Sequence, residues 1–212
     1  MAKMEDVLEL YAEEYNPQTP VLCMDEQPIQ LIKEVRQAIV ASQNHPKRID
    51  CEYERAGTAN IFMMTEALSG YRRVSVRENR KKNDWAIEIG SLLESRYKDV
   101  EKVRLVCDNL NTHTAGAFYQ VYPAEQARAL VKKLEFHYTP KHGSWLNIAE
   151  NELSVMTRQC LAGRRIGEIE KLREETSAWA KKTNEQQKGV DWQFKLDDAR
   201  IKLKTLYPKI IV

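Results

Sequence analysis

The chain has 212 residues, 42% of them apolar and 30% charged, with 33 basic side chains against 31 acidic ones and a net charge of +2. That length supports one hydrophobic core with an extension rather than two full domains, and so small a net charge makes no case by itself for a nucleic-acid partner. No apolar run approaches the roughly 20 residues that cross a bilayer, the acid-bearing start MAKMEDVLEL is no signal peptide, and Cys23, Cys51, Cys107 and Cys160 form no CxxC pair, so a cytoplasmic protein with reduced, mostly buried thiols is expected.

In chain order, Met4 to Tyr15 sets Val7, Leu8, Leu10 and Tyr11 on one helical face, and NPQTP ends that helix. Val21 to Met24 is a short apolar run of the kind a buried central strand shows, and it delivers Asp25 at its end. Gln43 to Asp50, polar and containing Pro46, predicts a loop. Ala59 to Leu68 and the alternating Tyr71 to Arg77, joined by Ser69 and Gly70, predict a hairpin. Trp85, Ile89, Leu92 and Leu93 follow at helical spacing, and Lys102 to Cys107 is a second buried strand that again ends on an aspartate, Asp108.

Ala115 to Leu134 is helical in composition, with a break expected at Pro123. A short strand over Leu134 to Tyr138, a loop over Thr139 to Ser144 and a helix over Trp145 to Cys160 come next, followed by charged helices over Glu168 to Glu185 and Leu196 to Leu206. Strands interleaved with helices in this way predict an α/β protein, a mixed sheet covered by helices on its faces.

Phosphodiester cleavage needs an activated nucleophile and a stabilised leaving oxygen, and two divalent ions about 4 Å apart supply both. Such ions take several oxygen ligands from converging carboxylates. Asp25 and Asp108 each follow a buried strand, so neighbouring strands would project both from one sheet edge, and Glu150 sits one turn into a helix from which that edge is within reach. The ordinary reading of any one of these acids is a solvated or capping carboxylate. Glu152 is the rival third acid, but residues two apart on a helix point to nearly opposite faces. Glu150 shares a face with Asn147 and is preferred, which makes Glu152→Gln nearly silent by expectation.

CMDEQPIQL at Cys23 to Leu31, CDNLNTHT at Cys107 to Thr114 and HYTPKHGSWLNIAENELSVMTRQCL at His137 to Leu161 resemble the three catalytic blocks of DDE transposases. The likeness is greatest to the bacterial insertion-sequence (IS-six-thirty type) branch of the mariner superfamily. YERAGTANIFM and VDWQFKLDDARIKLKTLYP extend it over nearly the whole chain. The resemblance implies a ribonuclease-H-like fold with Asp25 on the first strand, Asp108 on the fourth and Glu150 on the helix after the fifth. It implies that these three residues hold two magnesium or manganese ions, and that the activity is strand cleavage and transfer in cut-and-paste transposition. The implied partners are transposon-end and target DNA, with a homodimer or pairing with full-length transposase, in the bacterial cytoplasm near the nucleoid.

The organisation expected is a helix and linker over 1–18, the catalytic domain over 19–165 and a helical extension over 166–212. Between Asp108 and Glu150 lie 41 residues, more than is usual in the superfamily, with the surplus around Tyr122 and Pro123. Full-length relatives carry N-terminal helix-turn-helix modules, so the chain reads as a catalytic portion. A hydrolytic nuclease of the same fold and a non-catalytic remnant that binds DNA or intact transposase are the alternatives.

His113 and His142 are candidates to contact DNA or orient a water, against simpler roles in capping and in holding a loop. Asn109 and Asn111 are expected to hold their loop through side-chain to backbone bonds, and Trp145 reads more readily as a core anchor than as a stacking platform. Arg72, Arg73, Lys141, Arg164 and Arg165 complete the set of candidate DNA-binding residues, weighed against an ordinary solvated face.

Overall fold

Asp25 does not end its strand. In the computed structural model, which describes residues 1–46, 48 and 50–207, β1 runs over Val21–Glu34 and is followed by β2 (Tyr53–Glu66), β3 (Tyr71–Arg77), β4 (Val103–Cys107) and β5 (Leu134–Tyr138). They form one sheet in the order β3-β2-β1-β4-β5. β1 pairs antiparallel with β2 and β2 with β3, whereas β4 is parallel to both β1 and β5. Two positions of the expected loop over 43–50, and residues 208–212 of the extension, lie outside the described residues.

Helices α1 (Ala2–Ala12), α4 (Ile148–Met156), α5 (Ile169–Glu185) and α6 (Leu196–Lys202) pack on one face of the sheet, against Cys23, Ile61, Met63 and Val106. Helices α2 (Lys82–Glu94) and α3 (Ala124–Lys132), with a 3-10 turn at Ala115–Gln120, cover the other face against Leu22, Met24, Phe62, Met64, Leu105 and Cys107. Burial on both sides is why Ala59 to Glu66 are buried in succession, with no alternation. Pro123 caps α3, so the expected break in the 115–134 stretch falls there. The five-stranded mixed sheet between helical layers is the α/β arrangement read from the sequence.

β4 pairs with β1 only over Val21 to Cys23. Beyond that no strand among the described residues pairs with β1 on this side, which is where Pro28, lacking an N–H, is tolerated. β1 and β2 run on together past the body of the sheet through a bulge at Gln30/Ile32, and isolated bridges at Ile39/Arg48 and Ser42/His45 extend the pairing into an arm. Val35, Ile39, Val40 and Tyr53 are exposed along it.

The C-terminal helices share the core of the sheet: Leu172, Trp179 and Ala180 of α5 belong to the same buried cluster as Ile61 and Met63. Val190 N–H donates to the Ala67 carbonyl at 2.8 Å. Gly70, in the β2–β3 turn at φ 71°, meets the Gln187 backbone so closely that a Cβ would lie 2.7 Å from it, so this turn needs glycine twice over. The helix expected over Trp145 to Cys160 is a composite: a 3-10 turn at Ser144–Leu146, then α4, then a π-helical turn at Thr157–Leu161.

Candidate active site

The strand register brings two of the acids together. Cys23 on β1 is the partner of Val106 on β4, and two residues further along the same register Asp25 comes opposite Asp108. Side chains two apart on a strand share a face. Cys23 lies in the core beneath α4, so Asp25 projects to that side as well, while Asp108 follows the last residue of β4, Cys107, close enough to add like charge to Asp25.

Asn147 ties α4 to that point. Only 2% exposed, it accepts a hydrogen bond from Ala149 N–H at 3.1 Å as the helix N-cap and donates through Nδ2 to the carbonyl of Met24, the residue before Asp25, at 2.8 Å. Glu150 then stands in the first turn of the helix and lines an open cleft of about 430 Å³ with Asp25, Glu26, Ser154 and Arg158. Its Oε2 is buried with no hydrogen-bond partner. Replacing Asn147 by alanine removes both the cap and the tie. We expect a loss of about 1–2 kcal/mol in urea denaturation, together with weaker manganese binding by titration calorimetry; unchanged manganese affinity would show that Asn147 does not set the position of Glu150.

Glu152, two residues on, faces away from the cleft. Its carboxylate takes Arg72 Nε at 2.5 Å and Nη2 at 2.7 Å, and the same guanidinium donates to the carbonyls of Gly70 and Lys188, each at 2.9 Å. Arg72 is 5% exposed, so this candidate for DNA contact is instead a buried counter-charge with no face left for a phosphate. The helix separates the two glutamates as anticipated, and it delivers Glu152 into a buried ion pair rather than to solvent, so Glu152→Gln, expected to be nearly silent in cleavage, carries a cost in stability.

Burial raises the Asp25 carboxyl to about 6, with Asp108, Glu150 and Glu26 adding like charge, although the Glu26 N–H at 2.8 Å pulls the other way. Next to this cluster, His113 places Nδ1 2.5 Å from Asp108 Oδ1 and Nε2 3.1 Å from Glu26 Oε1, and its ring stacks on Trp85 at 5.4 Å. Burial opposes its charge, but hydrogen bonds to Asp108, Cys107 and Glu26 outweigh that and push it up to about 12. His113 is 1% exposed, so it braces the acids from behind and does not reach DNA, contrary to its place among the candidates.

A buried, unpartnered carboxylate oxygen on Glu150 and a carboxyl on Asp25 that resists ionisation are what oxygen ligands for a hard divalent ion show when the ion's charge is not among them. The donor set fits magnesium or manganese. Among the described residues no three His, Cys, Asp or Glu side chains already stand in metal-binding geometry, in keeping with Asp108 being turned to His113.

Of the remaining cationic candidates, Arg73 bonds Glu88 and Ser91, Arg164 bonds Glu175 and the Cys160 carbonyl, and Arg165 bonds the Asp50 and Glu52 carbonyls. Lys141 and His142 are exposed and line a second cleft of about 710 Å³ with Asp108, Leu110 and Lys3. Sequence reasoning did not pick out Glu26 or Arg158. Glu26 carried no signal, being next to an acid already chosen. Arg158 did, because Glu150, Ser154, Thr157 and Arg158 follow the i, i+4, i+7, i+8 spacing of one helical face, and all four line the first cleft.

Among solved structures, the chain is similar to the Mos1 mariner paired-end complex with Mn at 16% identity and a TM-score of 0.56, over 85% of this chain and 55% of that one. It is similar to the catalytic domain of Mos1 mariner transposase at 14% identity and a TM-score of 0.56, over 85% of this chain and 78% of that one. The chain thus spans little more than half of the Mos1 protein in the paired-end complex, and at such identities the likeness concerns the fold, which is ribonuclease-H-like. No curated protein matches the sequence significantly. The sequence profile described as DDE superfamily endonuclease matches residues 20–173. That match takes in the whole sheet and all of α4, and the chain belongs to the DDE superfamily of endonucleases.

Proposed function

We propose that the chain is the catalytic part of a cut-and-paste transposase, in which Asp25, Asp108 and Glu150 hold two divalent ions, magnesium or manganese, for cleavage and transfer of DNA strands. The observation that carries this reading is that Asp25 and Glu150 line one open cleft, with Asp108 near enough to add like charge to Asp25 and a Glu150 oxygen left unpartnered. When bound, the ions supply positive charge to the scissile phosphate and its leaving oxygen. The chain's own residues do the placing: Asn147 fixes Glu150 relative to β1, and His113 with Glu26 braces Asp108. Family membership and the fold shared with the Mos1 structures support the assignment. Purified chain incubated with supercoiled plasmid should nick it with magnesium and not with EDTA. Joined products mark transfer, and cut ends alone would favour the hydrolytic alternative.

DNA partners and a paired assembly belong to the same proposal. The similar Mos1 structures include a paired-end complex with left transposon end, and the exposed apolar residues of the β1–β2 arm suit contact with a second copy. Of the candidate phosphate contacts, Lys141 and His142 line the second cleft with Lys3, and Arg158, not among the candidates, lines the first. If about four phosphates are neutralised there, affinity should fall roughly a hundredfold between 50 and 200 mM salt, by the same factor for a terminal-repeat duplex and a scrambled one. A preference of a hundredfold for the repeat in this titration would place sequence reading within the chain and contradict a purely phosphate-borne affinity.

A further inference from the structure

The loop between β5 and α4 is fixed at many points, yet it leaves its largest side chain in the open. Gly143 N–H donates to the Pro140 carbonyl at 2.9 Å, and a Cβ on Gly143 would lie 2.4 Å from Pro140, so the turn closes only around glycine. Leu146 is fully buried, its carbonyl accepts from Tyr11 Oη at 2.8 Å, and Asn147 is locked to Met24. Within this frame His142 is held at φ 67°, a conformation that costs a non-glycine residue of order 1 kcal/mol or more and that collects at functional positions. Trp145 is 41% exposed.

Trp145 is also held flat. Its ring stacks on Trp192 at 6.4 Å and 16° and takes the edge of Phe194 at 5.5 Å, and Trp192 in turn packs on Tyr11 at 5.2 Å. Two aromatic rings, one of them backed by Tyr11, thus support an indole that remains partly in water. The sequence made Trp145 a core anchor, and the structure gives it one packed side only. Lys141, His142 and Ser144, the last of them adjacent to Trp145 in the chain, line the cleft beside Asp108, together with Lys3, whose Nζ lies over the Tyr138 ring at 5.5 Å. Lys202 sits over Phe194 at 5.5 Å.

A strained residue and a supported but uncovered indole in one fixed loop, with the cations of Lys141 and Lys3 in the cleft beside it, gain nothing for folding from their exposure. Together they match how single strands are held: cations on the backbone and an aromatic plane on which an unpaired base lies, whatever its identity. We propose that Trp145 is the stacking platform of a subsite for an unpaired nucleotide of the DNA strand next to the cleavage point, with Lys141, His142 and Lys3 on its phosphates. The inference rests on DNA being the substrate of the adjacent acids. It adds that the chain distinguishes frayed or extended ends from closed duplex.

The test uses the whole chain with calcium in place of magnesium and two DNAs of equal duplex length, one blunt and one with a three-nucleotide single-stranded extension carrying 2-aminopurine. The wild type should quench the 2-aminopurine and bind the extended DNA at least about fivefold more tightly than the blunt one, the factor that about 1 kcal/mol of stacking gives. Trp145→Ala should abolish both the quenching and the preference, and Trp145→Phe should restore them in large part. Should the alanine variant not fold, Trp145→Leu keeps an apolar contact for Trp192 without an aromatic plane and serves in its place. A Trp145→Ala or Trp145→Leu chain that keeps the preference, or a wild type that has none, overturns the proposal. If the wild type lacks the preference but nicks DNA with magnesium, the subsite is wrong and the endonuclease reading stands. If it quenches through Trp145 but never cleaves, the reverse holds.

Discussion

Asp25→Asn, Asp108→Asn and Glu150→Gln should each lower magnesium-dependent cleavage by about a thousandfold, the rate lost with roughly 4 kcal/mol of charge stabilisation. Each substitution keeps the shape of its side chain and removes one anionic ligand. Plasmid nicking with purified variants checks this, and a variant at wild-type rate leaves the set of ligands. The same substitution at Asp25 carries a second expectation with EDTA present. The folded Asp25 carboxyl sits at about 6 against an ordinary 3.8, so in that window the folded chain binds a proton that the unfolded chain releases. Stability therefore falls as pH rises from about 4 to about 6, and the whole cost, at most about 3 kcal/mol, is present above 6. Asp25→Asn should melt higher than wild type at pH 7.5 and converge with it near pH 4. A difference that does not change with pH would mean that the Asp25 carboxyl is not raised in the folded chain.

Glu152→Gln should destabilise the chain by about 3 kcal/mol in urea denaturation, because it leaves the buried Arg72 guanidinium without its counter-charge. Glu150→Gln, measured in the same experiment, should cost no stability, its carboxylate having no partner on one oxygen to lose. The two neighbouring glutamates thus separate into one whose loss shows in folding and one whose loss shows in catalysis. Removing both ends of the pair in Arg72→Met/Glu152→Leu should recover part of the loss, since apolar replacement of a buried ion pair is far less costly than halving it. A Glu152→Gln chain as stable as wild type would remove the pair from the account of how α4 is held.

What could be read from the sequence follows the range of the interactions. The short apolar runs ending in Asp25 and Asp108 declared themselves because a strand buried on both faces has little freedom of composition, and Pro123 announced its own break. The apolar run predicts β1 only as far as Asp25 because QPIQLIKE has no continuous apolar run, and the β2 residues it pairs with come after the 43–50 loop. The distinction between Glu150 and Glu152 was legible from helical geometry, but the fate of Glu152 was not: Arg72 is 80 positions away and lies in an alternating strand where one arginine looks like the next. His113 was placed among DNA contacts because nothing local shows that Trp85 and Glu26 enclose it. Side-chain type and spacing gave the acids, and tertiary contacts decided which of the cations were already taken.

Arg72 has a further bond, in its backbone. Asn184 of α5 accepts from Arg72 N–H at 2.8 Å and donates to the Arg72 carbonyl at 2.7 Å, and Arg173 of the same helix donates to the Val76 carbonyl at 3.0 Å. β3 is the outermost strand on its side of the sheet, and the main-chain groups thus occupied are among those that another strand would need. An open edge of this kind is where β-sheets recruit foreign chains and polymerise. Here an amide and a guanidinium carried by a helix imitate a neighbouring strand and end the ladder. Protection from aggregation is therefore lodged in α5, well away from the acids, and surface changes on that helix that spare every residue of the cleft can still determine whether the protein stays in solution.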